Sequence, residues 1–183
     1  ATAASSTRTA TEAARAQALL DRAEAHLREK GEQAMASFSQ AGEFVDGELY
    51  VYVIDTAGNF LASGGSSMTL IGRNVTDLTD SEGRHFMRTI LEGAKAKSSG
   101  QVEYRWNNPT RGRNEPKIAT YRRVGEHILV VGYYVPNASF ELAKSLVWRA
   151  VHELNVNGDS ALGRFNSLNG GYIQDDLYVF VIG

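Results

Sequence analysis

Leu49-Tyr50-Val51-Tyr52-Val53-Ile54-Asp55, then Thr56-Ala57-Gly58-Asn59, then Phe60-Leu61-Ala62-Ser63, reads as strand, turn and strand. The first run is apolar at odd and even positions and rich in Val and Tyr, as a strand buried on both faces would be. The Gly-Asn turn makes the pair a hairpin. Upstream, from about Thr11 to Gln40, there is no Pro and strong helix formers dominate, with Leu20, Ala23, Leu27, Ala34 and Phe38 three, four or seven apart. This predicts one long amphipathic helix, roughly 45 Å at 1.5 Å per residue. The Leu20, Leu27, Ala34 series resembles a coiled-coil seam, so a homo-oligomer packed through this helix is expected. Residues 1–8 are small and polar and are expected to be flexible.

Downstream, residues 64–80, with Gly64-Gly65-Ser66-Ser67 and Ile71-Gly72-Arg73-Asn74, read as a long connection. Ser81 is placed to cap a helix from about Glu82 to Lys97, closed by Ser98-Ser99-Gly100. Gln101 to Asn107 alternates, putting Val102, Tyr104 and Trp106 on one face and Glu103 and Arg105 on the other. The loop Asn108–Asn114 leads to a strand from Lys117 to Val124, and Gly125-Glu126 leads to another from His127 to Val135. Consecutive strands on short turns imply an antiparallel sheet and an α+β fold. Pro136-Asn137 is expected to end it, before a helix from about Ser139 to Asn155.

The chain has 183 residues, a net charge of −2 and dispersed Lys and Arg, which argues against nucleic acid as a partner. No run approaches the ~18 apolar residues of a membrane span. Without cysteine there are no disulfides, thiol nucleophiles or Cys-based metal sites. That absence, and a start at Ala1-Thr2-Ala3, fit an exported protein in an extracytoplasmic compartment, periplasmic, secreted or cell-surface.

Five segments stand in a characteristic order. Tyr50-Val51-Tyr52-Val53-Ile54-Asp55-Thr56-Ala57-Gly58-Asn59-Phe60-Leu61-Ala62 is followed by Leu70-Ile71-Gly72-Arg73-Asn74-Val75 and Asp77-Leu78-Thr79-Asp80-Ser81-Glu82-Gly83. Then come Gly100-Gln101-Val102-Glu103-Tyr104-Arg105-Trp106-Asn107-Asn108-Pro109 and Glu115-Pro116-Lys117 with Tyr121. In that order they resemble a single Cache domain, an extracytoplasmic relative of PAS domains in bacterial chemoreceptors and sensor kinases. With the long helix the resemblance covers residues 9–157. It implies a PAS-like antiparallel sheet flanked by the long N-terminal helix and a shorter one, enclosing a small carboxylate, amine or amino acid. It also implies sensing without catalysis or cofactor.

Tyr104 and Trp106 share one strand face, and Lys117 and Tyr121 share a face of the next strand. Aromatic bodies with polar tips and one ammonium suit a small anion, and His85 and Arg88 on the helix after the long connection offer a second anchor. The competing reading makes the aromatics core and lets Lys117 snorkel. No catalytic or metal site is expected: His26, His85, His127 and His152 are scattered, and there is no phosphate loop or nucleophile motif. Asp77, Asp80 and Glu82 fit a helix start better than a calcium loop.

Residues 19–55 recur as residues 146–183. Leu27, Gly31, Ala34, Met35 and Phe38 are echoed by Leu154, Gly158, Ala161, Leu162 and Phe165, and the first strand by Leu177, Tyr178, Val179, Phe180, Val181 and Ile182. Residues 158–183 are thus either the opening of a second Cache module or an assembly element. An uncharged strand left bare invites aggregation. Either a second module continues from it, or it pairs with a neighbouring subunit and builds a filament.

Overall fold

Helix α1 spans Thr2–Lys30 in the computed structural model, which describes residues 2–135, 140–167, 170–174 and 177–182. Residues 2–8, expected to be flexible, are therefore helical. The helix expected to run on to Gln40 is interrupted at Gly31, whose φ of 57° is left-handed backbone that glycine adopts without strain. A single 3-10 turn, Gly31–Gln33, leads into α2 (Ala34–Phe38). The strands β1 (Val45–Asp46), β2 (Leu49–Asp55) and β3 (Phe60–Ser63) follow, then α3 (Phe86–Ala96). Next are β4 (Ser99–Asn108), β5 (Arg113–Val124) and β6 (His127–Tyr134). The chain continues with α4 (Phe140–Asn157), α5 (Ala161–Phe165), β7 (Ile173–Gln174) and β8 (Leu177–Tyr178). Pro136-Asn137 lies outside the described residues. Thr11–Val135 forms one unit, and residues 2–10 with the described residues from 140 onward form another.

In the first unit the sheet order is β1-β2-β6-β5-β4, with β3 also on β2, and every pair is antiparallel. One edge of β2 is taken by β6, so β1 and β3 divide the other. As a central strand, β2 buries both faces. Leu49, Val51 and Val53 join Leu19, Leu20, Ala23, Leu27, Ala34 and Phe38 of the helices in one core. The seam residues Leu20, Leu27 and Ala34 are thus spent on the chain's own sheet. Tyr50, Tyr52 and Ile54 face a second core formed with Phe86, Met87, Ile90 and Leu91 of α3.

The third helix begins at Phe86, later than expected, and no side chain caps it. Asp80, rather than Ser81, organises the approach. Its carboxylate accepts the N–H groups of Glu82 and Arg84, the Arg84 Nε–H, and the N–H of Arg105 on β4, each at 2.9 Å. These bonds hold residues 81–85 as a turn against the edge strand. Ser99 and Gly100, expected to close the helix, already belong to β4. Burial opposes ionisation of Asp80, but the three N–H groups and Arg84 outweigh it and lower its pKa to about 2. A carboxylate whose pKa is depressed on folding stabilises above its unfolded pKa of about 3.9 and loses that contribution as pH falls towards 2. Asp80→Asn should therefore cost about 2 kcal/mol at pH 7 in urea unfolding, and the gap from wild type should close between about pH 4 and pH 2. A gap independent of pH would contradict this role.

Candidate functional site

One row of side chains crosses the inner face of the sheet where three strands meet. Tyr104 on β4 is the cross-strand partner of Lys117 on β5, and Lys117 is the partner of Tyr134 on β6. Partners directly across a ladder project to the same face. The space that Lys117 occupies is left by Gly132, where a Cβ would stand 2.5 Å from the lysine Cε.

Lys117 is only 1% exposed, which is rare for lysine without a paired carboxylate. Its ammonium lies 4.7 Å from the ring centre of Tyr50 and 4.9 Å from that of Tyr134. Such contacts offset part of the desolvation. Among the described residues its one hydrogen bond goes to the Tyr50 hydroxyl at 3.3 Å, although an ammonium has three donors. No carboxylate pairs with it among the described residues. Glu115, on the same strand and face, is held instead by Arg111 at 3.3 Å, Arg113 at 2.7 Å and the Asn108 amide at 2.9 Å.

The Tyr50 hydroxyl connects the ammonium to a serine cluster. It lies 3.2 Å from Ser66 Oγ and accepts from Ser67 Oγ at 3.4 Å, and Ser67 lies 2.8 Å from Ser63 Oγ. Burial works against ionisation of this phenol, yet Lys117 and the two serine hydroxyls together pull its pKa below the ordinary tyrosine value. Gly64 and Gly65 let the serine loop lie close: a Cβ on Gly65 would come within 2.2 Å of the Tyr50 ring, and one on Gly64 within 2.8 Å of Val45. The Tyr52 hydroxyl, also on the inner face, is buried without a hydrogen-bond partner among the described residues. Burial raises the pKa of Tyr52 and of Tyr104.

Above Tyr50 and Tyr134 is a cavity of about 210 Å³, walled by Val45, Gly65, Ser66, Asn108 and Pro109, with exposed Glu48 at its rim. At about 30 Å³ per water that is room for a ligand of a few heavy atoms. Lys117 does not line the cavity itself but stands one hydrogen bond behind it, through Tyr50.

Of the residues singled out from sequence, Lys117 and Tyr104 stand together in the ladder, but Tyr104 is packed face to face on Phe86 at 3.9 Å. Trp106 meets Phe86 edge-on at 5.5 Å. Tyr121 points under α3, where its hydroxyl fits against Gly93 and Gly100. His85 is exposed, and Arg88 is exposed and paired with Asp77; neither lines the cavity. Tyr50, Tyr134 and Ser66 were missed. Tyr134 was within reach: counting outward from the turn Gly125-Glu126 places it opposite Lys117. Among the described residues there is no cluster of acidic and histidine side chains suited to a metal ion, and no helix long and apolar enough to cross a membrane.

A family model described as single Cache domain 2 matches residues 7–146. Among solved structures, a methyl-accepting chemotaxis protein from Vibrio parahaemolyticus superposes with a TM-score of 0.60 at 16% identity, over 72% of this chain and 93% of the other. A periplasmic sensor domain of a chemotaxis protein gives 0.54 at 22% identity, over 70% and 92%. A Cache chemosensory domain described as recognising carboxylic acid gives 0.52 at 20% identity, over 73% and 95%. A comparison with curated proteins finds no match. The family match runs from α1 through β6 into α4, and with the sheet order and its helical flank it establishes that the chain belongs to the single Cache domain 2 family.

Proposed function

We propose that this chain is the ligand-binding domain of an extracytoplasmic sensor and that its ligand is a small carboxylate. The observation that carries this reading is Lys117, a buried ammonium with one hydrogen bond and no carboxylate partner among the described residues. A carboxylate entering the cavity accepts from the Tyr50 hydroxyl and from Ser66, and the Lys117 ammonium, one hydrogen bond behind Tyr50, supplies the opposite charge. The cavity volume of about 210 Å³ suits a ligand of a few carbons. The similarity to a Cache domain that recognises carboxylic acid supports the same class.

No group here acts on the ligand; the site holds and orients it. The experiment is thermal unfolding against a panel of short carboxylates, with the matching neutral amides and amines as controls. Ligand at a hundred times its Kd stabilises by about 2.7 kcal/mol, a shift of several degrees. Carboxylates should raise Tm and their amides should not. Equal shifts from acid and amide, or none from any acid, would refute the reading.

A further inference from the structure

The described residues between 146 and 179 repeat their counterparts between 19 and 51 in structure as well as in sequence, while the strand expected over Leu177–Ile182 is formed only at Leu177–Tyr178. Gly31, with φ 57°, has its counterpart in Gly158, with φ 53°, and each opens a 3-10 turn followed by a short helix. Phe38 meets Phe44 edge-on at 4.8 Å, and Phe165 meets Tyr172 edge-on at 4.7 Å. Val45 and Asp46 pair with Tyr50 and Leu49, and Ile173 and Gln174 pair with Tyr178 and Leu177. The Val51 N–H donates to the Phe44 carbonyl at 3.1 Å, and the Val179 N–H to that of Tyr172 at 3.3 Å. Arg22 donates to the Glu43 carbonyl, and Arg149 to the Gly171 carbonyl. Even where the chemistry changes, the pairing persists: His26 with Ser37 becomes Glu153 with Arg164.

What differs is the cover. In the first copy Leu20 is fully buried, β6 lies along the free edge of β2, and α3 covers Tyr50, Tyr52 and Ile54. Their equivalents Val147, Tyr178, Phe180 and Ile182 are 58%, 52%, 70% and 82% exposed. Between α4 and residues 178–182 runs a groove of about 440 Å³ whose lining carries no charged side chain. The first copy shows what fits. Pairing two such strands from two chains would close the edge but leave the Tyr178, Phe180 and Ile182 face bare. A sheet with its own overlying helix closes both.

We propose that α4 and residues 158–182 open a second Cache module, and that this groove seats the rest of that module's sheet. The docked strand runs antiparallel to residues 177–182, as β6 does to β2, with apolar residues on both faces. The repeat also specifies one contact. In the first copy Arg122 of β5 pairs with Asp21 at 2.8 Å and Glu24 at 2.6 Å. Trp148 and Val151 take those two places, so the docked sheet carries an apolar residue where β5 carries Arg122. Tyr178 keeps the position of the cavity residue Tyr50. None of this depends on the ligand of the first module.

The test extends the full chain at its C-terminus with a second copy of residues 56–135, once unchanged and once with Arg122→Val in the added copy, both with every Trp106 replaced by Phe. We expect a second cooperative melting transition, a blue shift of Trp148 emission, and slowed hydrogen exchange at Phe180 and Ile182. These amides alternate with that of Val179 and so face the open edge. Arg122→Val in the added copy should raise the second transition by about 5 °C or more. Phe180→Asp should remove that transition and leave the first. A single transition with Phe180 and Ile182 exchanging as freely as in the unextended chain would overturn the proposal. So would a second transition that survives Phe180→Asp, or a dimer of the unextended chain in which these amides are already protected.

Discussion

Lys117→Met is expected to cut the carboxylate-dependent rise in Tm by about half or more while leaving the ligand-free protein as stable as before, or more so. Methionine has nearly the length of lysine and fits the channel that Gly132 leaves open. Removing a buried charge that lacks a counter-charge relieves its desolvation, which costs several kcal/mol per ion before compensation. The two ring contacts and the single bond to Tyr50 offset only part of that. With ligand bound, the same ammonium attracts the carboxylate across the Tyr50 hydroxyl, an interaction between little-exposed charges worth about 1.5–3 kcal/mol, so affinity should fall by about tenfold to a hundredfold. Titration calorimetry of wild type and variant measures the first effect, and urea unfolding without ligand the second. If the variant bound as well as wild type, Lys117 would be a structural lysine only. If it unfolded outright, the tyrosine cage would be a core that needs the charge.

Phe38→Ala carries the largest stability effect expected in the first unit. Its ring is fully buried, meets Phe44 edge-on and lies 5.8 Å from His26, in the core that joins the helices to β2 and β6. Truncating a buried phenylalanine costs about 3–5 kcal/mol, because the surrounding side chains relax only partly into the space. Chemical denaturation followed by circular dichroism should show the midpoint fall with little change in slope. Phe165→Ala makes the same truncation in the C-terminal cluster with Tyr172. It should leave the main transition in place. Equal losses from both substitutions would mean that the two copies unfold as one unit.

The sheet was legible because its signals are local. β2 and β3 match the sequence reading residue for residue, since a doubly apolar run, a Gly-Asn turn and a second apolar run allow little else. The β4–β5 and β5–β6 hairpins follow from alternation on either side of polar loops. The start of α3 was not legible, because the group that sets it, Asp80, takes one of its partners from Arg105 in another element. His85 and Arg88 were misplaced for a related reason. Phe86, Met87, Ile90, Leu91 and Ala94 turn one side of α3 to the sheet, which leaves His85 and Arg88 on the other.

The candidate site was half legible. Lys117 was found because a lysine on an apolar strand face is conspicuous by its pleat. Tyr50 was hidden by the property that identified its strand: when both faces of β2 are buried, alternation does not say which tyrosine faces a ligand. The serine loop was hidden because Gly64-Gly65 reads as a flexible connection until the close approach of Tyr50 and Val45 shows why only glycine fits there.

The proposed ligand site puts a small carboxylate against Tyr50, with the Lys117 ammonium behind that hydroxyl. Its most direct measurement is a crystal structure of the protein grown with the panel carboxylate that raises Tm most. We expect a carboxylate oxygen within hydrogen-bond distance of Tyr50 Oη, in the cavity beside Ser66, with Lys117 Nζ behind that hydroxyl. The same ligand bound elsewhere in the fold, with no contact to Tyr50, would contradict this.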